Sequence, residues 1–186
     1  MKFLLGIVTG LVIVGAAGAF VIASGAFPVA ATIPPSGLEK SVATLAVRRS
    51  VAKRAPRTEN PVKASPDALA KGLAHYRSMC LTCHGAGTVD PSAIGEGLNP
   101  PAPDLTQPSV QSMTDGELFW VVQNGIRMTG MPAFGPTHED PEIWTLVTFM
   151  RHLPELTAEE EAALERGRVT EKAEEPETAE KAKKPE

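Results

Sequence analysis

The alternation of apolar and polar positions divides the chain before any single residue is considered. Lys2 is followed by Phe3 to Ser24 without one charged residue. About 20 apolar residues suffice for a helix to cross a bilayer core, so this run predicts a membrane segment. Ser36-Gly37-Leu38-Glu39 has the form of a capping box, and Leu38, Val42, Leu45 and Val51 behind it approximate a helical apolar stripe. Ser65 with Pro66 predicts the start of a helix running into Cys80. Thr114-Asp115-Gly116-Glu117 opens another through Leu118, Val121 and Val122, which Gly125 ends. Asp140 with Pro141 opens a third, carrying Ile143, Trp144, Val147 and Met150 at helical spacing until Leu153-Pro154 stops it. Thr157-Ala158-Glu159-Glu160 begins a short last helix to about Arg166. No strand signal competes, and the fold class is all-α.

Four regions follow. Residues 1–26 form an N-terminal membrane anchor or signal segment. Ser24-Gly25-Ala26 offers small residues to a peptidase, but the apolar run exceeds the roughly 7–15 residues usual in a signal peptide, and length favours an anchor. Residues 27–64 read as a basic linker with an amphipathic helix, suited to an anionic lipid surface or a partner subunit, or else simply solvated. Arg48, Arg49, Lys53, Arg54 and Arg57 lie too far along to reverse the orientation, because only Lys40 is basic between Ser24 and Val47. The N-terminus is therefore expected inside, with the rest of the chain across the membrane. Residues 65–154 are the folded domain. Residues 155–186 are the short helix and, beyond Gly167, a mixed-charge tail with too little apolar surface to offset ordering entropy. The net charge of −4 combines a basic linker with an acidic tail, and nothing in it suggests nucleic acid.

A domain of this size with few aromatics is short of core material. Its two cysteines, the only ones in the chain, stand in Cys80-Leu81-Thr82-Cys83-His84. That pattern is associated with c-type haem attachment. Two thiols on one helical turn can each add across a vinyl group of the same haem, and the next side chain then projects over the ring. His84 is thereby delivered to the iron as proximal ligand, and the apolar macrocycle completes the core. A thioredoxin-like dithiol lacks the expected strand context, and no second cysteine or histidine pair completes a zinc site.

The second axial ligand is expected from Gly130-Met131-Pro132-Ala133-Phe134-Gly135. A thioether suits haem iron, Pro132 fixes the backbone beside Met131, and the flanking glycines permit the turns that aim it. Met128 is its competitor. Met79 adjoins the attachment motif on the wrong side, and Met113 and Met150 fall at expected core positions. His75, His138 and His152 read as surface or helix-terminal residues, Trp120 and Trp144 as packing, and Arg127 as solvated.

Together Cys80, Cys83, His84 and Gly85, then Pro103-Asp104-Leu105, Gly125-Ile126 and Met131-Pro132-Ala133-Phe134, resemble a class I c-type cytochrome of the monohaem, membrane-anchored bacterial sort. The resemblance covers residues 66–154. It implies a small helical domain wrapped around one covalent haem c with its iron, held by Cys80, Cys83, His84 and Met131, and preceded here by the transmembrane helix. It also implies that the first and last helices cross, with Gly72 and Tyr76 meeting Leu146 and Phe149. The Pro103 carbonyl should accept from the proximal imidazole. The expected function is electron transfer rather than enzymatic turnover, by Fe(III)/Fe(II) cycling between a redox donor and acceptor. The setting is a respiratory chain or a larger respiratory or dehydrogenase complex, at the inner membrane with the haem domain in the periplasm. The rival is a haem gas sensor or peroxidase-like enzyme with an open distal site.

Overall fold

The computed structural model describes residues 2–174, with side chains through residue 166. The chain separates into two units, residues 1–34 and a second that begins at Pro35. The first unit is built on α1 (Lys2–Ala23), 22 residues with no charge after Lys2. At about 1.5 Å per residue it is long enough to cross a bilayer core of about 30 Å. Its length and apolar composition make it a candidate membrane anchor or signal segment.

The second unit opens with α2 (Gly37–Arg54), and its capping box forms as expected: Glu39 N donates to Ser36 Oγ, and Ser36 N to the Glu39 carboxylate. The expected apolar stripe does not pack as one face. Only Val51, in the last turns, is buried, whereas Leu38, Val42 and Leu45 are exposed. The chain leaving α2 then crosses α7 (Asp115–Asn124), and Gly116 is needed there because any Cβ would run into the Pro56 carbonyl. Asn60 is buried: its Nδ2 donates to the Trp144 carbonyl (3.1 Å) and Thr148 Oγ1 (2.9 Å), while its Oδ1 accepts from Val62 N. The later part of the segment read as linker is therefore stitched to the folded domain. A buried amide is tolerated because its polar atoms find partners.

The centre is the crossing of α3 (Pro66–Met79) with α8 (Asp140–His152). Ser65 caps α3 by accepting from Ala68 N. Gly72 allows the contact: a Cβ there would lie 2.5 Å from Phe149 Cβ and 3.0 Å from the Thr145 carbonyl. Tyr76 and Phe149 are fully buried, their ring centroids 5.5 Å apart, and Leu146 is 2% exposed beside them. The crossing expected of Gly72, Tyr76, Leu146 and Phe149 is thus present. We expect Gly72→Ala to destabilise the domain by about 1–3 kcal/mol, because neither obstruction is a flexible tip. Thermal unfolding followed by far-UV circular dichroism measures it.

The N-cap of α8 lies one residue before Asp140, the residue expected to open the helix. Glu139 occupies the N-cap and forms a capping box with Glu142, leaving Asp140 as the first helical residue. Phe119 of α7 stacks on Trp144, centroids 4.2 Å apart, so Trp144 is a core residue. Arg151 ties the short helix α6 (Pro108–Gln111) and the start of α7 to α8, donating to Asp115 Oδ1, the Gln111 carbonyl and the Met113 carbonyl. After a 3₁₀ turn (Leu153–Glu155) the chain forms α9 (Ala158–Glu174), opened by the expected Thr157–Glu160 box and seated by fully buried Leu164. The helix continues past Arg166, where it was expected to end. The remainder of the charged tail, residues 175–186, lies outside the described residues. Among the described residues the only bridge is an isolated one, Ala86 with Val89, and no strand forms.

Candidate haem-binding site

The attachment motif folds as one helical turn, α4 (Leu81–His84). His84 N donates to the Cys80 carbonyl at 2.9 Å and Gly85 N to that of Leu81 at 3.0 Å, so Cys80, three positions before Cys83 and four before His84, is one helical turn from both. Gly85 follows at φ 61°, where an L side chain is strained, and a Cβ would meet the Val89 carbonyl. Tyr76 Oη donates to the Gly85 carbonyl at 2.6 Å and so joins the motif to the α3–α8 crossing. On the other side the short helix α5 (Ala93–Glu96) presents Gly95, where a Cβ would stand 2.9 Å from Cys83 Cα.

His84 Nδ1 lies 2.8 Å from the Pro103 carbonyl. A carbonyl can only accept, so Nδ1 carries the proton and Nε2 is left as the nitrogen able to bind a metal. Burial holds the imidazole below its ordinary pKa, with the Pro103 hydrogen bond opposing. The ring is consequently neutral at pH 7, the form that ligates. Burial and the neighbouring Cys83 push the Cys80 thiol up to about 12. A thiol so reluctant to ionise is a poor redox nucleophile, which weakens the dithiol reading of the pair.

His84, Cys80, Cys83 and Met131 share one cavity, walled otherwise by apolar side chains such as Leu98, Leu105, Val110, Leu118 and Val122. The loop that brings Met131 there is fastened to the end of α7. Phe134 N and Gly135 N donate to the Val122 and Gln123 carbonyls, which a helix C-terminus otherwise leaves without partners. Gly125 turns at φ 64°, and Ile126 N donates to the Met131 carbonyl. Thr129 Oγ1 accepts from Met131 N (3.1 Å) and donates to the Ile126 carbonyl (2.7 Å). Thr129→Val keeps the shape and removes both bonds. It should loosen the loop by about 1–2 kcal/mol, read as a lower midpoint of thermal unfolding by circular dichroism.

Met128, the expected competitor, is 90% exposed at φ 64° and does not line the cavity. Met79, Met113 and Met150 do line it, which the residue pattern did not foresee for Met79. Their backbones are committed elsewhere: Met79 ends α3, Met150 is in the last turn of α8, and the Met113 carbonyl accepts from Arg151. Among these four methionines only Met131 sits on the loop that follows Gly125 and is fastened to the end of α7. His75 and His138 face each other at 6.0 Å, and His152 pairs with Glu160 at 3.0 Å. None of these three, nor Trp120, Trp144 or Arg127, lines the cavity.

An apolar hollow in the middle of a small core, with two cysteines, a hydrogen-bonded imidazole and a thioether on its walls, fits a covalently attached macrocycle. Residues 67–150 form a monohaem class I c-type cytochrome domain, and its cofactor is haem c with iron. That same span matches the model of the family described as Cytochrome C oxidase, cbb3-type, subunit III. No curated protein matches the chain.

Proposed function

We propose that this chain is a membrane-anchored, monohaem electron carrier, with Cys80 and Cys83 as the haem thioether residues and His84 and Met131 as axial ligands. The observation that carries this reading is the pairing of His84 Nδ1 with the Pro103 carbonyl beside a cavity that Met131 also lines. A bound haem would supply one-electron Fe(III)/Fe(II) exchange, and His84 and Met131 would hold its iron. The protein's part is to hold the imidazole in one tautomer, to keep the Met131 loop fixed on α7, and to exclude water with apolar walls. A fixed geometry in both oxidation states limits the reorganisation that accompanies electron transfer. The subunit description of the matching family favours service within a terminal oxidase complex, between a redox donor and an acceptor. In that setting α1 is the anchor and the haem domain lies in the periplasm.

The anchored Met131 loop argues against an open-site sensor or peroxidase. A reduced-minus-oxidised spectrum of the membrane-expressed chain, extended to the near infrared, tests the choice. Expected is a six-coordinate low-spin c-type spectrum with a methionine-to-ferric-iron band that Met131→Ala abolishes. A high-spin spectrum that shifts with CO or NO overturns the carrier and points to the sensor or enzyme.

A further inference from the structure

α2 is an 18-residue helix of which only Val51 is buried. Leu38, Val42 and Leu45 are 77%, 59% and 58% exposed, and they recur at the three-and-four spacing of a single face. Arg49 continues that line, with Arg48 and Lys53 flanking it. At about 100° per residue, Val51 lies well round the helix from Leu45, so the side used for internal packing and the apolar side are different. Glu39 is the one acidic residue of the helix, and its carboxylate is engaged in the N-terminal cap. Among the described residues none of Arg48, Arg49 and Lys53 forms an ion pair.

We propose that α2 lies on an anionic phospholipid surface, with Leu38, Val42 and Leu45 entering the headgroup–acyl boundary and Arg48, Arg49 and Lys53 meeting lipid phosphates. Charge is the first argument for lipid over a protein groove: Arg48, Arg49 and Lys53, without an ion pair among the described residues and close to exposed apolar side chains, are drawn to an anionic surface. Continuity is the second. No charged residue occurs between Lys2 and Glu39, and within that stretch Phe27, Val29 and Ile33 are 59%, 90% and 49% exposed. The chain therefore carries no charge from the candidate membrane helix into the first turn of α2. Rigidity gives the contact a consequence. Val51, the Pro56–Gly116 approach and the Asn60 hydrogen bonds fix the end of α2 to the haem domain, so a docked α2 sets how that domain meets the bilayer. This proposal does not depend on which residues hold the iron.

The test is amide hydrogen exchange on the full haem-loaded chain in nanodiscs of phosphatidylcholine alone and of phosphatidylcholine with phosphatidylglycerol. Peptides covering residues 38–50 are expected to exchange about tenfold more slowly in the anionic discs, since each basic residue near such a surface adds attraction. The difference should vanish in Arg48→Gln/Arg49→Gln/Lys53→Gln and in Val42→Gln/Leu45→Gln, with the absorption spectrum unchanged as the check on folding. Equal exchange in both lipids overturns the proposal. So does slowing that occurs only with a co-purified subunit, which assigns the face to a protein partner, or slowing that rises with protein concentration in phosphatidylcholine, which assigns it to a second copy.

Discussion

Replacing His84 by alanine should leave essentially no six-coordinate low-spin haem, the largest single loss we expect from any substitution in this chain. Alanine removes the only imidazole on the cavity wall, and no other histidine among the described residues lines that space. His75 and His138 are engaged with each other and His152 with Glu160, so none is placed to substitute. Met131 alone supplies one thioether, which cannot replace a nitrogen ligand in setting a strong field. The hydrogen bond itself offers a control. Its acceptor is the backbone carbonyl of Pro103, which Pro103→Ala retains. We therefore expect Pro103→Ala to keep the low-spin spectrum while His84→Ala loses it. The α3–α8 crossing, built from Gly72, Tyr76 and Phe149, does not use the imidazole, so secondary structure should persist better than the spectrum. An unchanged visible spectrum in His84→Ala sinks the assignment of this residue to the iron.

How far the sequence could be read depended on whether a feature is local. The capping boxes at Ser36, Thr114 and Thr157 are complete within four residues, and each forms as its pattern predicts. The attachment motif is likewise contained in one helical turn. Asn60 left no trace, because its partners, Trp144 and Thr148, lie 84 and 88 positions away and nothing near Asn60 signals burial. Arg151 is the same case: an arginine in the last turn of a helix reads as a dipole partner, and its bonds to Gln111, Met113 and Asp115 depend on the fold. The α2 stripe misleads for a different reason. Periodicity reports that a face is apolar, not that the domain has a surface to cover it, and here only Val51 finds one. Met79 reads as misplaced because it precedes Cys80, yet α3 carries it to the cavity because the helix axis, not chain order, decides which side chains reach the wall. The exposure of Met128, by contrast, follows from its own backbone: at φ 64° its side chain turns out of the loop that Met131 enters.

That difference between two methionines on one loop makes the second large effect specific. Met131→His is expected to retain low-spin iron and to lower the reduction potential. Imidazole is a stronger donor than a thioether and stabilises the ferric state, whereas His/Met ligation is the high-potential arrangement. Axial ligands span roughly 0.8 V across haem proteins, and a fall on the order of 0.1 V or more is a modest part of that range. Thr129 still accepts from the backbone N–H at position 131, and Phe134 and Gly135 still fasten the loop to α7, so the substituted side chain starts from the same anchor. Met128→His places its imidazole where the native side chain is 90% exposed, and the potential should stay within error of the wild type. Spectroelectrochemical titration of both variants separates the alternatives. A fall in Met131→His alone, with loss of the near-infrared band, supports Met131 as the axial ligand. A fall in Met128→His alone requires the loop to turn over on haem binding and moves the ligand to that residue. No fall in either removes the loop from the iron and leaves Met79, Met113 and Met150 as the remaining thioethers on the wall.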